Sequence, residues 1–189
     1  LYNFYGFVCD GVYKDLEDIQ TSAKPVKYPS DNVFNRSNTV WVGDIKYKDL
    51  NGDGVINDND KTNIGSPMPK FTFGFTNTFR YKNFDMSLFI NGSYGNKVYN
   101  YLGMKLTHMN SAWTNQLNAV ADRAQLTPID VNKDYSNGVV VNGVTVYNWY
   151  DDITNVKVAN SGTLIPRATI GDPNDNDRVS DRYVEDGSY

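Results

Sequence analysis

The sequence predicts a mainly β protein organised around one long hairpin with an apolar face. Three observations carry this. Residues 71–94 alternate with period two across a short break. Aromatic residues reach 14% of the chain, led by 14 Tyr. Asn recurs beside Gly, Asp and Ser, the composition of polar turns between strands.

The hairpin is the clearest element. Phe71, Phe73, Phe75, Asn77, Phe79 and Tyr81 share one face, and Thr72, Gly74, Thr76, Thr78 and Arg80 share the other. After Lys82-Asn83 the pattern resumes, with Phe84, Met86, Leu88, Ile90, Gly92 and Tyr94 against Asp85, Ser87, Phe89, Asn91 and Ser93. Two period-two runs joined by two residues make a β-hairpin. Strands of this length suit a tilted crossing of a bilayer, which takes about 9–11 residues. Aromatics bracket the apolar face as an interfacial girdle does. A hairpin covering the core of a soluble β-sandwich fits the same pattern.

The remaining elements are shorter. Residues 1–15 read as extended, with Tyr2, Phe4, Phe7, Val8, Val12 and Tyr13 as strand formers. Asp15 to Ala23 suits a short helical turn ended by Pro25 and Pro29. Trp41 to Tyr47 reads as extended. Residues 97–107 have helical spacing through Val98, Tyr101, Leu102 and Leu106. Ser111 is placed to cap a second helix from Ala112 to Ala124, carrying Trp113, Leu117 and Val120. Val139–Val141 and Val144–Val146 flank Asn142-Gly143, the strongest two-residue hairpin turn. Residues 166–188 read as loop, and there is no internal repeat.

Composition narrows the function. The formal net charge is -4, which argues against a nucleic-acid surface. No run of 18 apolar residues is present, so no transmembrane helix is expected; a barrel gives a much weaker signal. No charged segment followed by an apolar core opens the sequence, so no secretory leader is expected in it. Cys9 is the single cysteine and reads as a half-buried strand residue. His108 is the single histidine, so a Ser/His/Asp set could form only around it. No phosphate-cradling glycine loop or zinc spacing occurs. Trp41, Trp113 and Trp149 could each stack on a sugar, though packing is the commoner use. The Asp172–Asp177 run reads as a polar loop.

One loop has a metal pattern. In Asp49-Leu-Asn51-Gly-Asp53-Gly54-Val55-Ile56-Asn57-Asp-Asn-Asp60, oxygen side chains fall at loop positions 1, 3, 5, 9 and 12. Gly stands at position 6. Calcium takes six to eight oxygens, which alternate residues of a wound loop can supply. The candidate ligands are Asp49, Asn51, Asp53, the Val55 carbonyl and Asp60. The ion, Ca2+, would be structural. A terminal Asp is shorter than the usual Glu and reaches the ion only if the loop closes tightly. Ile56 would anchor the loop. An Asn/Asp/Gly turn without metal has the same composition.

The strings Gly43 to Asp60, Ile64-Gly-Ser-Pro-Met-Pro-Lys-Phe-Thr-Phe-Gly-Phe75 and Tyr81-Lys-Asn-Phe-Asp-Met-Ser-Leu-Phe-Ile90 resemble SusC/RagA-type TonB-linked outer-membrane receptors. Ile165-Pro-Arg-Ala, Asp181 to Tyr189, Asn3-Phe-Tyr-Gly-Phe and Asp10-Gly-Val-Tyr13 are similar to the family too. The order is right, and residues 95–164 are the least family-like. The resemblance implies a receptor several times this length, with a plug inside a 22-stranded transmembrane barrel. This stretch would come from the C-terminal third, and the plug and TonB box would lie elsewhere.

On that basis the expected organisation has three parts. Residues 1–69 form an extracellular loop region carrying the calcium-like loop 49–60. Residues 70–94 form a transmembrane hairpin with Lys82-Asn83 as its periplasmic turn. Residues 95–189 form a second extracellular region with short helices and a small hairpin. The implied function is non-enzymatic import of oligosaccharides or peptides across the bacterial outer membrane. The implied partners are a SusD-like surface lipoprotein, TonB, the nutrient and outer-membrane lipid. A soluble calcium-stabilised β module that binds carbohydrate is the alternative, and a glycoside hydrolase would need a carboxylate pair that spacing alone does not nominate.

Overall fold

The computed structural model describes residues 3–110, 113 and 115–189. In chain order its regular elements are β1 (Phe4–Gly6), β2 (Cys9–Val12), α1 (Leu16–Thr21), β3 (Ile45–Tyr47), β4 (Thr62–Gly65), β5 (Phe71–Tyr81), β6 (Phe84–Tyr94), β7 (Lys97–Tyr99), α2 (Tyr101–Leu106), β8 (Leu126–Pro128), β9 (Val139–Val141), β10 (Val144–Val146), β11 (Val156–Val158) and β12 (Val184–Asp186). The strands form antiparallel pairs: β1 with β4, β2 with β3, β5 with β6, β7 with β12, β8 with β11 and β9 with β10. The model is mainly β with few helices.

The short pairs build one body. Its core takes Val12, Tyr13, Ile19, Val40, Trp41, Ile45 and Ile56 from the first third of the chain, and Ile153, Val156 and Val158 from much later. The stretches before and after the hairpin therefore share a single apolar interior. α1 forms where Asp15 accepts from the Asp18 N–H at 2.9 Å, capping a helix that buries Ile19.

Two expectations need correction. The second helix does not run to Ala124: among the described residues of this stretch only a 3-10 turn, Asn118–Asp122, forms, and Leu117 at its start makes no side-chain cap. Trp113 is 95% exposed while Val120 is buried, so the spaced apolar residues do not share one buried face. Ser111, Ala112 and Tyr2 lie outside the described residues. Trp41 to Tyr47 is extended only from Ile45; the Asp44 N–H donates to the Trp41 carbonyl at 3.1 Å in a turn. Gly43 permits it at φ +89, with Cβ space taken by Ala124, Leu126 and Arg167.

A buried ion pair locks that turn. Asp44 is fully buried, and Arg167 donates to it from Nε at 2.7 Å and from Nη2 at 3.3 Å. The Trp41 N–H and the Asn176 amide also donate to Asp44, at 2.8 and 3.2 Å. Arg167 spends its remaining reach on the Arg36 carbonyl at 2.9 Å. Complete burial pushes the Asp44 carboxyl up, against the pull of the guanidinium. Two of the strings that carry the family resemblance, 43–60 and 165–168, thus meet at one contact.

The segment 172–183 is ordered by the same centre. Asn176 accepts from the Ile45 N–H at 2.8 Å, and the Tyr47 hydroxyl donates to the Asn176 carbonyl at 3.1 Å. His108 contacts Asp177, tying the end of α2 to this segment.

Candidate functional site

The hairpin β5–β6 stands apart from the body. Each strand has 11 residues, and the register runs without a break from Phe71 opposite Tyr94 to Tyr81 opposite Phe84. Lys82 makes the turn at φ +53. The register places Phe75 opposite Ile90, Asn77 opposite Leu88, and Phe79 opposite Met86. One face is therefore apolar except for Asn77, as the alternation predicts.

That face is bare. Its ten large apolar side chains, from Phe71 to Tyr94, are between 44% and 70% exposed, so no second sheet covers them. On the other face Thr78 and Ser87 hydroxyls approach at 3.4 Å, and Arg80 grips Asp85 from Nε at 2.7 Å and Nη2 at 3.1 Å. Phe89 is the apolar exception there.

The hairpin's edges are also informative. No strand among the described residues flanks β5 on its outer side. β6 continues past Gly95 into β7, which pairs with β12. Beyond β12, Ser93 and Tyr189 exchange both backbone hydrogen bonds, at 2.9 and 3.0 Å. The backbone of Tyr189 thus runs antiparallel onto the top of β6. Gly92 allows the approach: a Cβ there would lie 2.5 Å from both the Phe73 ring and the Tyr189 carbonyl oxygen. On the other side, β1 pairs antiparallel with β4, which leads into β5. Both edges are begun at the body and left open along the hairpin.

The loop 49–60 is wound as the spacing predicts. Asp49 accepts from the Gly52 N–H at 2.6 Å and the Gly54 N–H at 2.8 Å. These donors, Gly54 first, hold its carboxyl below the ordinary carboxylate range. Asp53 accepts from the Val55 N–H at 2.9 Å and from the Asn51 amide at 2.9 Å. Ile56 is fully buried, and strand-like bonds from Lys24 to Gly54 and from Ile56 to Lys24, both at 2.9 Å, fix the loop to the body.

Asp60 occupies a different position from the other four candidates. It is fully buried, and its two oxygens accept from the Leu50 N–H at 3.0 Å and the Asn57 N–H at 2.8 Å. It clasps the two ends of the loop together. Asn51 and Asp53 stay exposed, and Asp49 is half-buried. Among the described residues no group of three His, Cys, Asp or Glu side chains is gathered as a metal centre, so any ion here would need the Asn and carbonyl oxygens as well. The donor set allows this. The Asn57 amide donates to the Val55 carbonyl at 3.3 Å, and a half-turn of an Asn amide exchanges its donor for an acceptor.

Other candidate groups take structural places. Burial pushes the Cys9 thiol up to about 12, which leaves it protonated and unreactive. Trp41 is buried in the core and Trp149 packs against it. No helix among the described residues is long and apolar enough to cross a membrane.

The bare period-two hairpin and the loops gathered at one end of it define a class, the β-rich segment of a larger β architecture. Comparison with known proteins finds similarity to one family of receptors. The chain is 29% identical over 187 residues to TonB-dependent receptor P3 of Formosa agariphila, covering 99% of this chain and 14% of that protein. It is 46% identical over 82 residues to TonB-dependent receptor P26 of the same organism, covering 43% of this chain and 8% of that protein. A third relative, TonB-dependent receptor P39, is 43% identical over 58 residues. No family model matches the chain. The chain is thus similar to TonB-dependent receptors along its length, and it spans only a small part of the length of these relatives.

Proposed function

We propose that this chain forms part of the barrel wall and the extracellular face of an outer-membrane nutrient importer of the SusC/RagA type. The observation that carries the reading is the hairpin: two unbroken 11-residue strands with one wholly exposed apolar face. At about 3.3 Å per residue each strand extends roughly 36 Å, and a tilt near 40° brings this to roughly 28 Å. That spans an outer-membrane apolar band of about 25 Å. In water such a face and two open edges would drive association. In a barrel, lipid covers the face and neighbouring strands fill the edges.

The remaining assignments follow from this orientation. The Lys82-Asn83 turn is periplasmic, and the body lies outside the cell. The whole receptor imports oligosaccharides or peptides together with a SusD-like lipoprotein, with energy supplied through TonB and no covalent chemistry. Loop 49–60 binds a structural calcium through Asp49, Asn51, Asp53 and the Val55 carbonyl, with Asp60 closing the loop. An extracellular site needs only millimolar-range affinity. The exposed apolar face disfavours a soluble carbohydrate-binding module.

Arginine scanning of the intact receptor tests the hairpin. Leu88→Arg, on the apolar face at mid-strand, costs about 2–4 kcal/mol of folding into lipid, whereas Ser87→Arg, on the opposite face, costs little. Equal effects at the two positions would reject the membrane assignment. For the loop, calcium raises the melting temperature of the receptor and Asp53→Ala removes the increment. A melting temperature indifferent to calcium in the unmutated protein rules the ion out.

A further inference from the structure

The free edge of β6 is occupied only at its top. Ser93 and Tyr189 exchange both backbone hydrogen bonds, at 2.9 and 3.0 Å, which makes them a directly opposed antiparallel pair. Gly92 and Ser93 are buried there, while the rest of β6 is exposed. We propose that in the intact receptor the stretch following Tyr189 continues down this edge as the adjoining barrel strand, in a register set by a bulge at Tyr94 and Gly95. The proposal deepens the barrel reading and rests on it. TonB-dependent receptor P3 is matched over only 14% of its length by nearly all of this chain, so most of such a receptor lies outside residues 1–189.

The register follows from the ladder above. Lys97 on β7 stands opposite Asp186 on β12, and the Gly187 N–H donates to the Asn96 carbonyl at 3.0 Å, so Asn96 faces Gly187. Between that pair and the Ser93–Tyr189 pair, one side holds Tyr94 and Gly95 and the other holds Ser188 alone. Two residues against one make a β-bulge, a feature common at barrel rims. Gly95 takes φ +83, and its N–H donates to the Ser188 hydroxyl at 2.9 Å. Below the bulge, Gly92 faces the first residue after Tyr189, Asn91 the second and Ile90 the third. The β7–β12 register carried down without a bulge would set Ile90 against the fourth.

The edge below demands a partner. In an antiparallel ladder alternate residues turn their N–H and C=O to the same side. Ser93 turns them toward Tyr189, so Asn91, Phe89, Ser87 and Asp85 turn theirs to that side as well. No strand among the described residues meets them. Within the apolar part of a bilayer such groups are paired by a neighbouring strand. The backbone of Tyr189 already points antiparallel along this edge, and its next residues reach Gly92 and Asn91 with no change of direction. Residues 97–188 then form one long excursion between two neighbouring wall strands.

Disulfide trapping in the intact receptor, in outer membranes, tests this. Ile90→Cys is combined in turn with a cysteine at the second, third or fourth residue after Tyr189. Ile90 and the third residue form a non-hydrogen-bonded pair, with Cα atoms about 4.5 Å apart, inside the disulfide range of about 4.4–6.8 Å. Mild oxidation should bridge the third-position variant, seen as a reductant-reversible mobility shift on a denaturing gel, and should leave the other two unshifted. Asn91→Cys with the second residue is the companion pair on the opposite face, and it should bridge as well. It keeps the test decisive if the first variant does not reach the membrane. Bridging of Ile90→Cys through the fourth or second position would overturn the register. Bridging of neither expected pair, in receptor that reaches the membrane, would overturn the pairing itself. Arginine scanning of the hairpin reads lipid contact alone, so failure here leaves the membrane reading standing on its own test.

Discussion

Each of the two regions of this molecule holds an Arg–Asp pair bonded through both carboxylate oxygens, and the pairs could hardly differ more. In the body, Arg167 and Asp44 are 4% and 0% exposed at the side chain; in the hairpin, Arg80 and Asp85 are 79% and 58% exposed. Their hydrogen-bond geometries are nearly the same. What separates them is solvent. Burial removes two charges from water and leaves them dependent on each other, on Asn176 and on two backbone groups. Exposure leaves both hydrated, so the contact adds little. The body is thus held by long-range polar bonds inside an apolar core. The hairpin is held by its own ladder and has its apolar surface on the outside.

The largest effect expected from this difference is at Arg167. Arg167→Met leaves the Asp44 carboxylate buried without its cation, which costs about 3–5 kcal/mol. The loss should appear as a lowered urea midpoint for the body, followed by proteolysis of residues 34–44 and 165–183. The hairpin should keep its protection in the membrane, because no described contact of Arg167 reaches it. Loss of hairpin protection in the same variant would show that the two regions fold as one unit.

A smaller effect is expected with acid. Partial burial alone would raise the Asp18 carboxyl, but the Lys14 N–H, Lys46 and Ser22 together hold it below the ordinary value of 3.8. Its folded pKa is lower than its unfolded one, so its contribution to stability is present above about pH 4 and is lost as pH falls through the folded value. Stability of the body should therefore fall as pH drops below about 4, and Asp18→Asn should make the fall shallower. Asp152, also lowered and held by Lys133, Thr154 and Tyr135, should behave in the same way. A pH profile unchanged by Asp18→Asn would mean the Lys46 contact at 3.0 Å does not persist in solution.

The same contrast explains what could be read from the sequence. The hairpin was legible because everything that specifies it is local: period two, a two-residue turn and aromatic ends. The small β9–β10 hairpin followed from Asn142-Gly143 for the same reason, with both residues at positive φ. The loop 49–60 was legible as a winding because its Asx bonds span two to five residues, but its closure by a buried Asp60 was less so. The Asp44–Arg167 pair lies 123 residues apart in sequence, and nothing in either neighbourhood announces the other. The missing helix at 112–124 failed in the opposite sense. The local spacing of Trp113, Leu117 and Val120 suggested a face, but a short helix depends on a shared surface to pack against, and of the three only Val120 is buried.

The smallest expected effect gives the most direct test of which solvent the hairpin's polar face meets. A double-mutant cycle of Arg80→Ala and Asp85→Ala in the intact receptor should return a coupling of about 0–1 kcal/mol, as for exposed pairs. A water-filled lumen next to the turn requires this. Arg80 and Asp85 lie directly opposite one another in the register, one pair away from Tyr81 and Phe84 at the turn. If the coupling instead reached several kcal/mol, the pair would have to be desolvated as Arg167 and Asp44 are. Some other element would then be packed against the face that carries Thr72, Thr76 and Thr78, and the lipid-facing and water-facing sides of β5 would need to be exchanged or the lumen filled.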